Sequence, residues 1–432
     1  MSKSTAIELP AIPKDKDYED YVCAFMQAGG LYVERSIIHR EVEELLELDI
    51  LTTDFQTDSA ANNLVEIKGG DWGFSDLFKI CGWMTYLNYE KACFIVQKTR
   101  PSITFFRDKA KELKIDLIDN SDLSNTHETL QSFLHINPTK EDIETIRFSY
   151  LLERKQLALI KKLKKSDPAI VSYHRLDDYF YKINSGSFFV RNPIKRINQL
   201  FNYFIEYRNI TAKICHELNG GDFYDDEIVD LSKKCFEETF YNPSNTIIQV
   251  SLYIEHLARV TILKCAIEHI IEKSKGNYNA TDITNILNYL SLPGTIKSGL
   301  LEISNDSYFF LYPRFWQFFT YVFGGFILTD IESKEYALLA KKTGIPEAEI
   351  PNAFNAFNKL FPKQNGWFFK IPNTSINWHN FFPIAFSGIG ANYRRLIYVN
   401  DQDYDELFKG LSGSKTSSDL TKWNNLAYSI LK

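Results

Sequence analysis

Residues 91–98, KACFIVQK, set five apolar side chains in succession with no polar alternation. Successive strand residues point to opposite faces, so a run of this kind is buried on both. A sheet that holds it must carry helices above and below. The neighbouring segments agree. Residues 15–28 (DKDYEDYVCAFMQA) have apolar side chains at 18, 21, 22, 25 and 26, which is helical spacing, and the GG at 29–30 stops that helix. Two strand-like runs follow at 31–38 and 45–53, then a third, NLVEIK, after the polar turn QTDSAAN. GFSDLFKICGWMTYLN (73–88) returns to helical spacing, ITFFRDKAKELK reads as a helix and IDLID as a short strand. The order predicts an α/β N-terminal domain: a mixed sheet, meandering first and parallel later, flanked by helices.

Beyond NSDLSNTHETL the texture changes. The 432 residues are enough for two or three domains, and 44% hydrophobic residues with 15% aromatics support a large packed core. The expected division is 1–125 for the α/β domain, 140–290 for a helical, basic and aromatic domain, and 291–432 for a mixed, mostly helical remainder. FWQFFTYVFGGFIL (315–328), bounded by Arg314 and Asp330, is shorter than the roughly 20 residues that span a bilayer, so it reads as a buried helix. LAKKTGIPEAEI (339–350) sets Ala340, Gly344 and Ile350 at helix-turn-helix spacing, which would make 330–375 a winged-helix-like segment with GWFFKIPN as its wing. Pro351 falls inside the would-be reading helix and Glu347 and Glu349 make it acidic, so a plain helical hairpin is the preferred reading. Six cysteines lie far apart with no CxxC, and the N-terminal residues have no apolar signal core. The expectation is a reduced, cytoplasmic protein without a cysteine zinc site or a membrane partner.

A net charge of −6 excludes a generally basic nucleic-acid coat, but the average hides a division. Residues 1–119 hold 14 Lys+Arg against 21 Asp+Glu, net −7, whereas 145–215 hold 14 against 5, net +9. That second segment is where an anionic polymer would dock, with Lys161, Lys162, Lys164, Lys165, Arg191, Lys195 and Arg196 as candidate phosphate contacts. Its interleaved tyrosines and phenylalanines either stack on exposed bases or form the core of an amphipathic bundle whose lysines are a wet face. The eight histidines show no metal-binding spacing, and the absence of a P-loop pattern excludes an ATP motor.

The chemistry concentrates in ELDILTTDFQTDSAANNLVEIKGG, residues 47–70. Asp49 and Glu66 sit in neighbouring strand-like runs, and Lys68 follows Glu66 at i+2, on the same face. Two buried, unpaired carboxylates would each cost several kcal/mol. A hard divalent cation, Mg²⁺ or Mn²⁺, removes that cost and brings a water and a phosphate oxygen with it. Lys68 would then orient the attacking water or stabilise the charge of the pentacovalent phosphate. The bland alternative is a surface ion pair between Glu66 and Lys68 worth under about 1 kcal/mol, with Asp49 a solvated strand-end acid and Glu19 an ordinary helix-surface acid.

The order helix with Glu19, strand with Asp49, strand with Glu66-x-Lys68, then helix resembles the PD-(D/E)xK nuclease superfamily, whose fold is the restriction-endonuclease-like mixed sheet. The start, with YEDYV at 18–22, looks most like the Mrr-like restriction endonuclease branch. Leu48 departs from the proline of the family's name. The resemblance covers roughly residues 15–120. It implies Asp49 and Glu66 as metal ligands, Lys68 as the catalytic lysine and Glu19 as an outer or second-metal carboxylate. Lys79, on the following helix, would touch DNA. The implied activity is Mg²⁺- or Mn²⁺-dependent cleavage of DNA of the restriction or antiviral-defence type, and cutting both strands would need two sites, as a homodimer supplies. Two alternatives stay open: a ribonuclease, and a non-catalytic binding or assembly protein that keeps the nuclease fold.

Overall fold

A computed structural model describes residues 9–40, 44–190, 192–207, 243–288, 292–328, 331–361, 376–378 and 384–398. Helix α1 (Asp15–Ala28) ends at Gly29, and Gly30 turns the chain at φ +103°, a conformation that favours glycine. The strands β1 (Tyr32–Arg40), β2 (Glu44–Phe55) and β3 (Ala60–Lys68) form an antiparallel meander. Helix α2 (Phe74–Leu87), β4 (Lys91–Val96), α3 (Ile103–Glu112) and β5 (Ile115–Asp119) then extend the sheet in parallel, in the order β1-β2-β3-β4-β5. This is the α/β domain expected from the sequence, followed by a mainly helical remainder.

Strand β4 explains why the sheet has two layers of cover. Ala92, Phe94 and Val96 pack against Leu77 and Ile80 of α2 and Phe106 of α3. Cys93 and Ile95 enter the opposite core with Val22 and Phe25 of α1. Burying each large apolar side chain contributes roughly 1.5–3 kcal/mol, so one six-residue strand ties both layers together.

The chain continues through α4 (Thr126–Leu134), α5 (Lys140–Ser166), α6 (Val171–Tyr181), a wide turn at Lys182–Gly186, α7 (Pro193–Tyr207) and α8 (Pro243–Ser274). Then come α9 (Ala280–Asn288), α10 (Gly294–Ile303), α11 (Tyr312–Tyr321), β6 (Phe326–Leu328), α12 (Glu332–Thr343), α13 (Ile350–Leu360), β7 (Ile376–Trp378) and α14 (Ile384–Tyr398). The core on the α1 side of the sheet runs without a break into these helices: Val22, Ile95 and Ile146 belong to the same buried cluster as Phe315, Trp316 and Phe357. Polar contacts cross the same boundary. Arg35 of β1 bonds Glu153 of α5 at 2.5 Å and Asp20 of α1 at 2.9 Å, and Tyr321 donates to Glu153 at 3.1 Å. Among the described residues no helix is long and apolar enough to cross a membrane.

One expectation is corrected here, and two alternatives that the sequence left open are narrowed. The apolar run 315–328 is not one helix: α11 stops at Tyr321, Gly324 and Gly325 take φ +66° and +75°, and the chain re-emerges as β6. A side chain at Gly324 would stand 2.3 Å from the Phe386 carbonyl, so the turn requires glycine. Pro351 does not interrupt a reading helix. It sits in the first turn of α13, where its missing N–H costs nothing. That helix buries Phe354, Phe357 and Leu360 and exposes Pro351 and Asn355, a core helix rather than one presented to a groove. The would-be wing, 366–373, lies outside the described residues. Finally, five aromatics of the basic segment, Tyr150, Tyr173, Tyr179, Phe201 and Phe204, are buried in the core, which removes them from base stacking, whereas Phe180 and Tyr181 are half-buried.

One buried ion pair organises the C-terminal helices. Arg394 of α14 and Glu335 of α12 are both fully buried, bonded at 2.5 and 2.9 Å. The guanidinium also donates to the carbonyls of Phe323 and Phe326, and Leu328 N–H donates to Glu335 at 2.8 Å. Every strong donor and acceptor in the pair is thereby answered, the condition for burying such a pair.

Candidate active site

Strands β1 and β2 share an irregularity beside the candidate residues. Leu48 and Leu51, three residues apart, lie in the core beneath α2 and α3, while Ile50 between them lies in the opposite core. The inward-outward alternation therefore slips by one residue here. Ser36, which would face Asp49 between the pairs Ile37–Leu48 and Arg35–Ile50, has φ +49°. The pairing of β2 with β3 stops at the same place, its last pair being Ile50–Val65. Beyond it the strands part, and the Asp49 carboxylate takes the place of a strand partner by accepting the Ile67 N–H at 2.8 Å.

Glu66 stands one position past that last pair. It is 7% exposed, and its Oε2 is buried with no hydrogen-bond partner. Lys79 of α2 reaches its other oxygen at 3.2 Å, while the same ammonium lies 4.1 Å from the Trp83 ring centre. Lys68 points toward the same helix and pairs with Asp76 at 3.2 Å. Glu66 and Lys68 thus share a face, as the i+2 spacing predicts, and both meet α2. Glu19 of α1 is paired with Lys16, which also donates to Ser36 Oγ at 3.0 Å.

The electrostatics follow from burial. Burial pushes the Asp49 carboxyl up to about 6, opposed by its bond from Ile67 and reinforced by the nearby charge of Glu19. Burial also pushes Glu66 up to about 7; the charge of Asp49 adds to this and Lys79 opposes it. Each acid is therefore part of the other's surroundings, and the pair is short of positive charge. Asp49 lies within electrostatic reach of both Glu66 and Glu19, with Lys68 and Lys79 on the α2 side. Among the described residues no group of three or more His, Cys, Asp or Glu side chains is gathered closely enough to hold a metal ion. A divalent cation here would be held by Asp49 and Glu66, with water and phosphate completing its shell, the manner in which Mg²⁺ commonly binds. The unpartnered Glu66 oxygen fits such an ion.

The basic candidates separate into two kinds. Lys161, Lys162, Lys165 and Lys195 are exposed. Lys164 is paired with Asp177 at 2.5 Å, and Arg196 is mostly buried against Glu34 at 3.3 Å and the Phe188 ring. Arg196 serves packing rather than an open cationic surface. Arg191 lies outside the described residues.

Two participants were missed by sequence reasoning. Asp76 holds both Lys68 and the Gly73 N–H at the start of α2, the latter at 2.8 Å. Its signal was present in GFSD, an acid three residues into a helix after a glycine, which is an N-terminal capping position. Lys16 left no comparable signal, because its role depends on how α1 lies over Ser36. No protein-family model, curated protein or solved structure matches the chain.

Proposed function

We propose that the chain is a metal-dependent phosphodiesterase that cuts nucleic acid, DNA before RNA, at Asp49 and Glu66. The observation that carries the reading is the buried Glu66 carboxyl, with one oxygen unpartnered and a second, half-buried acid, Asp49, as its neighbour. A structural ion pair would not leave that oxygen open.

When bound, Mg²⁺ or Mn²⁺ would supply the charge that makes a bound water acidic and neutralises a phosphate oxygen. The chain's own residues do the remainder. Asp49 and Glu66 must both be ionised to hold the cation, which their raised values make a pH-dependent step. Lys68, turned from Asp76 toward the scissile phosphate, stabilises the charge that develops on its oxygens. Lys79 holds Glu66 in place. The exposed lysines 161, 162, 165 and 195 offer phosphate contacts away from the chemistry. Degradation of foreign DNA, with a homodimer to cut both strands, is the biological setting that this reading suggests.

A second reading has one observation in its favour. Lys68 and Lys79 are each already paired with an acid, and no three-acid cluster exists among the described residues. That arrangement would suit a binding or assembly protein that keeps the fold. The deciding experiment incubates plasmid DNA and single-stranded RNA with the protein and Mg²⁺ or Mn²⁺, beside Glu66→Gln and Lys68→Ala. Cleavage by wild type, lost in both variants, is expected. No cleavage with either metal favours the second reading, and cleavage unchanged in Lys68→Ala removes that lysine from the mechanism.

A further inference from the structure

Between β1 and the helices α5, α6, α8 and α11 lies a cavity of about 620 Å³, within the range of roughly 300–1,000 Å³ that small-molecule sites occupy. One wall is a stripe of α5, Arg154, Leu157, Lys161 and Lys164, spaced to put four side chains on one helix face. The facing wall belongs to α6 and carries His174, Asp177, Phe180 and Tyr181. The floor is polar, with Glu153, Gln317 and Tyr321. At one side the cavity reaches Lys16 and Ser36, the residue across from Asp49. It therefore adjoins the carboxylate site without being part of it.

The charge balance of the lining selects a ligand. Its acids are already answered: Asp177 by Lys164 at 2.5 Å, Asp178 by Lys182 at 3.1 Å, and Glu153 by Arg35 at 2.5 Å. Glu34 is held by Arg196 at 3.3 Å and Lys264 at 3.1 Å. Among the described residues Lys161 has no acidic partner, so the wall of α5 keeps an open cation. An apolar guest would desolvate these groups with nothing in return, at several kcal/mol for each charge left unpaired. A metal ion would meet Lys161 with like charge, Arg154 beside it being paired with Asp20. A phosphate would take charge-assisted hydrogen bonds from that wall, and the rings of Phe180 and Tyr181 offer a flat base something to stack on.

We infer that this cavity binds a nucleoside phosphate, with its phosphate toward Lys161 and its base against Tyr181 and Phe180. Two sources share that chemistry: a free nucleotide, and the terminal nucleotide of a strand laid across Asp49 and Glu66. The inference concerns binding and stands whether or not Glu66 supports cleavage.

Calorimetric titration of the full chain in EDTA tests it, with AMP, GMP, CMP and UMP, the matching nucleosides, and 5′-phosphorylated single-stranded hexanucleotides as probes. At least one nucleotide is expected to bind about tenfold or more tighter than its nucleoside, the effect of one charge-assisted contact. Lys161→Glu, on an exposed position, should weaken it about tenfold, and Leu157→Trp, which fills the cavity, should abolish it. A hexanucleotide that competes for the cavity identifies a strand end as the ligand; one that does not identifies a free nucleotide. No nucleotide binding at millimolar concentration overturns the inference. So does equal binding of nucleotide and nucleoside, or binding unchanged in Lys161→Glu. If Leu157→Trp fails to fold by circular dichroism, Lys161→Glu decides alone.

Discussion

Gln317 closes the free edge of the sheet with its side chain: its amide nitrogen donates to the Val33 carbonyl at 2.7 Å, and its oxygen accepts the Val33 N–H at 2.9 Å. The pair of bonds is what a further strand would supply at that residue. Strand β1 is the edge of the five-stranded order, and an uncovered edge invites pairing with other chains. Replacing Gln317 with Leu keeps the volume and leaves a buried N–H and C=O unanswered. The expected loss is about 2–4 kcal/mol of stability, read by urea denaturation of Gln317→Leu against wild type.

Glu66 should be more useful to chemistry than to the fold. Its folded value, about 7, lies above its ordinary 4.5, because burial and Asp49 both disfavour the charge. A raised acid favours the folded state fully below 4.5 and loses that contribution as pH rises through 7. In EDTA the protein should therefore weaken between pH 5 and pH 8. Glu66→Gln should remove most of that decline and be on the order of 2 kcal/mol more stable than wild type at pH 8, while losing any cleavage. Chemical denaturation at the two pH values checks the first part. A Glu66→Gln protein less stable than wild type at pH 8 would contradict it.

His256 of α8 gives a slope of the opposite sense. It is buried, bonded to Thr320 Oγ1 at 3.1 Å, and held down to about 3, first by burial and then by the charge of Arg259. The unfolded chain protonates near 6.5, so the stability present above that value is lost as pH falls toward 3. One such group contributes about 1.4 kcal/mol per pH unit. In His256→Gln the dependence between pH 6 and pH 4 should be shallower by one proton, measurable from denaturation midpoints across that range.

Removing one partner of the Arg394–Glu335 pair should be severe. Glu335→Ala leaves a guanidinium with no exposure and no counter-ion, for which about 3–5 kcal/mol is expected. The double replacement Glu335→Leu with Arg394→Met should recover part of that loss, because it removes the stranded charge as well. Thermal melts of the two proteins give the comparison.

What the sequence made legible was periodic. The five apolar residues of β4, the helical spacing of α1 and the order of the N-terminal elements all reappear at nearly the expected positions. Local patterns determine such features. The slip at Ser36 and Asp49 was not legible, since the strands read as regular and nothing in the residue types announces a change of face. The run 315–328 misled for a related reason: an all-apolar stretch has no periodicity to separate a helix from a strand, and its two glycines were the only punctuation. Charged residues that pair over long sequence distances, Arg35 with Glu153 and Arg394 with Glu335, were invisible because each partner alone resembles a surface residue. Glu66 and Lys68 could be read as a same-face pair, but their meeting with Lys79 and Asp76 depended on how α2 lies across the sheet.

Because Asp49 answers a backbone N–H that the departing strand has abandoned, it has a duty to the fold whatever its part in the proposed chemistry. An alanine there would open a hole in the main-chain pattern and, in a cleavage assay, confound lost chemistry with a damaged fold. The cleaner variant for testing the proposed cleavage is Glu66→Gln, on whose side chain no peptide group relies among the described residues.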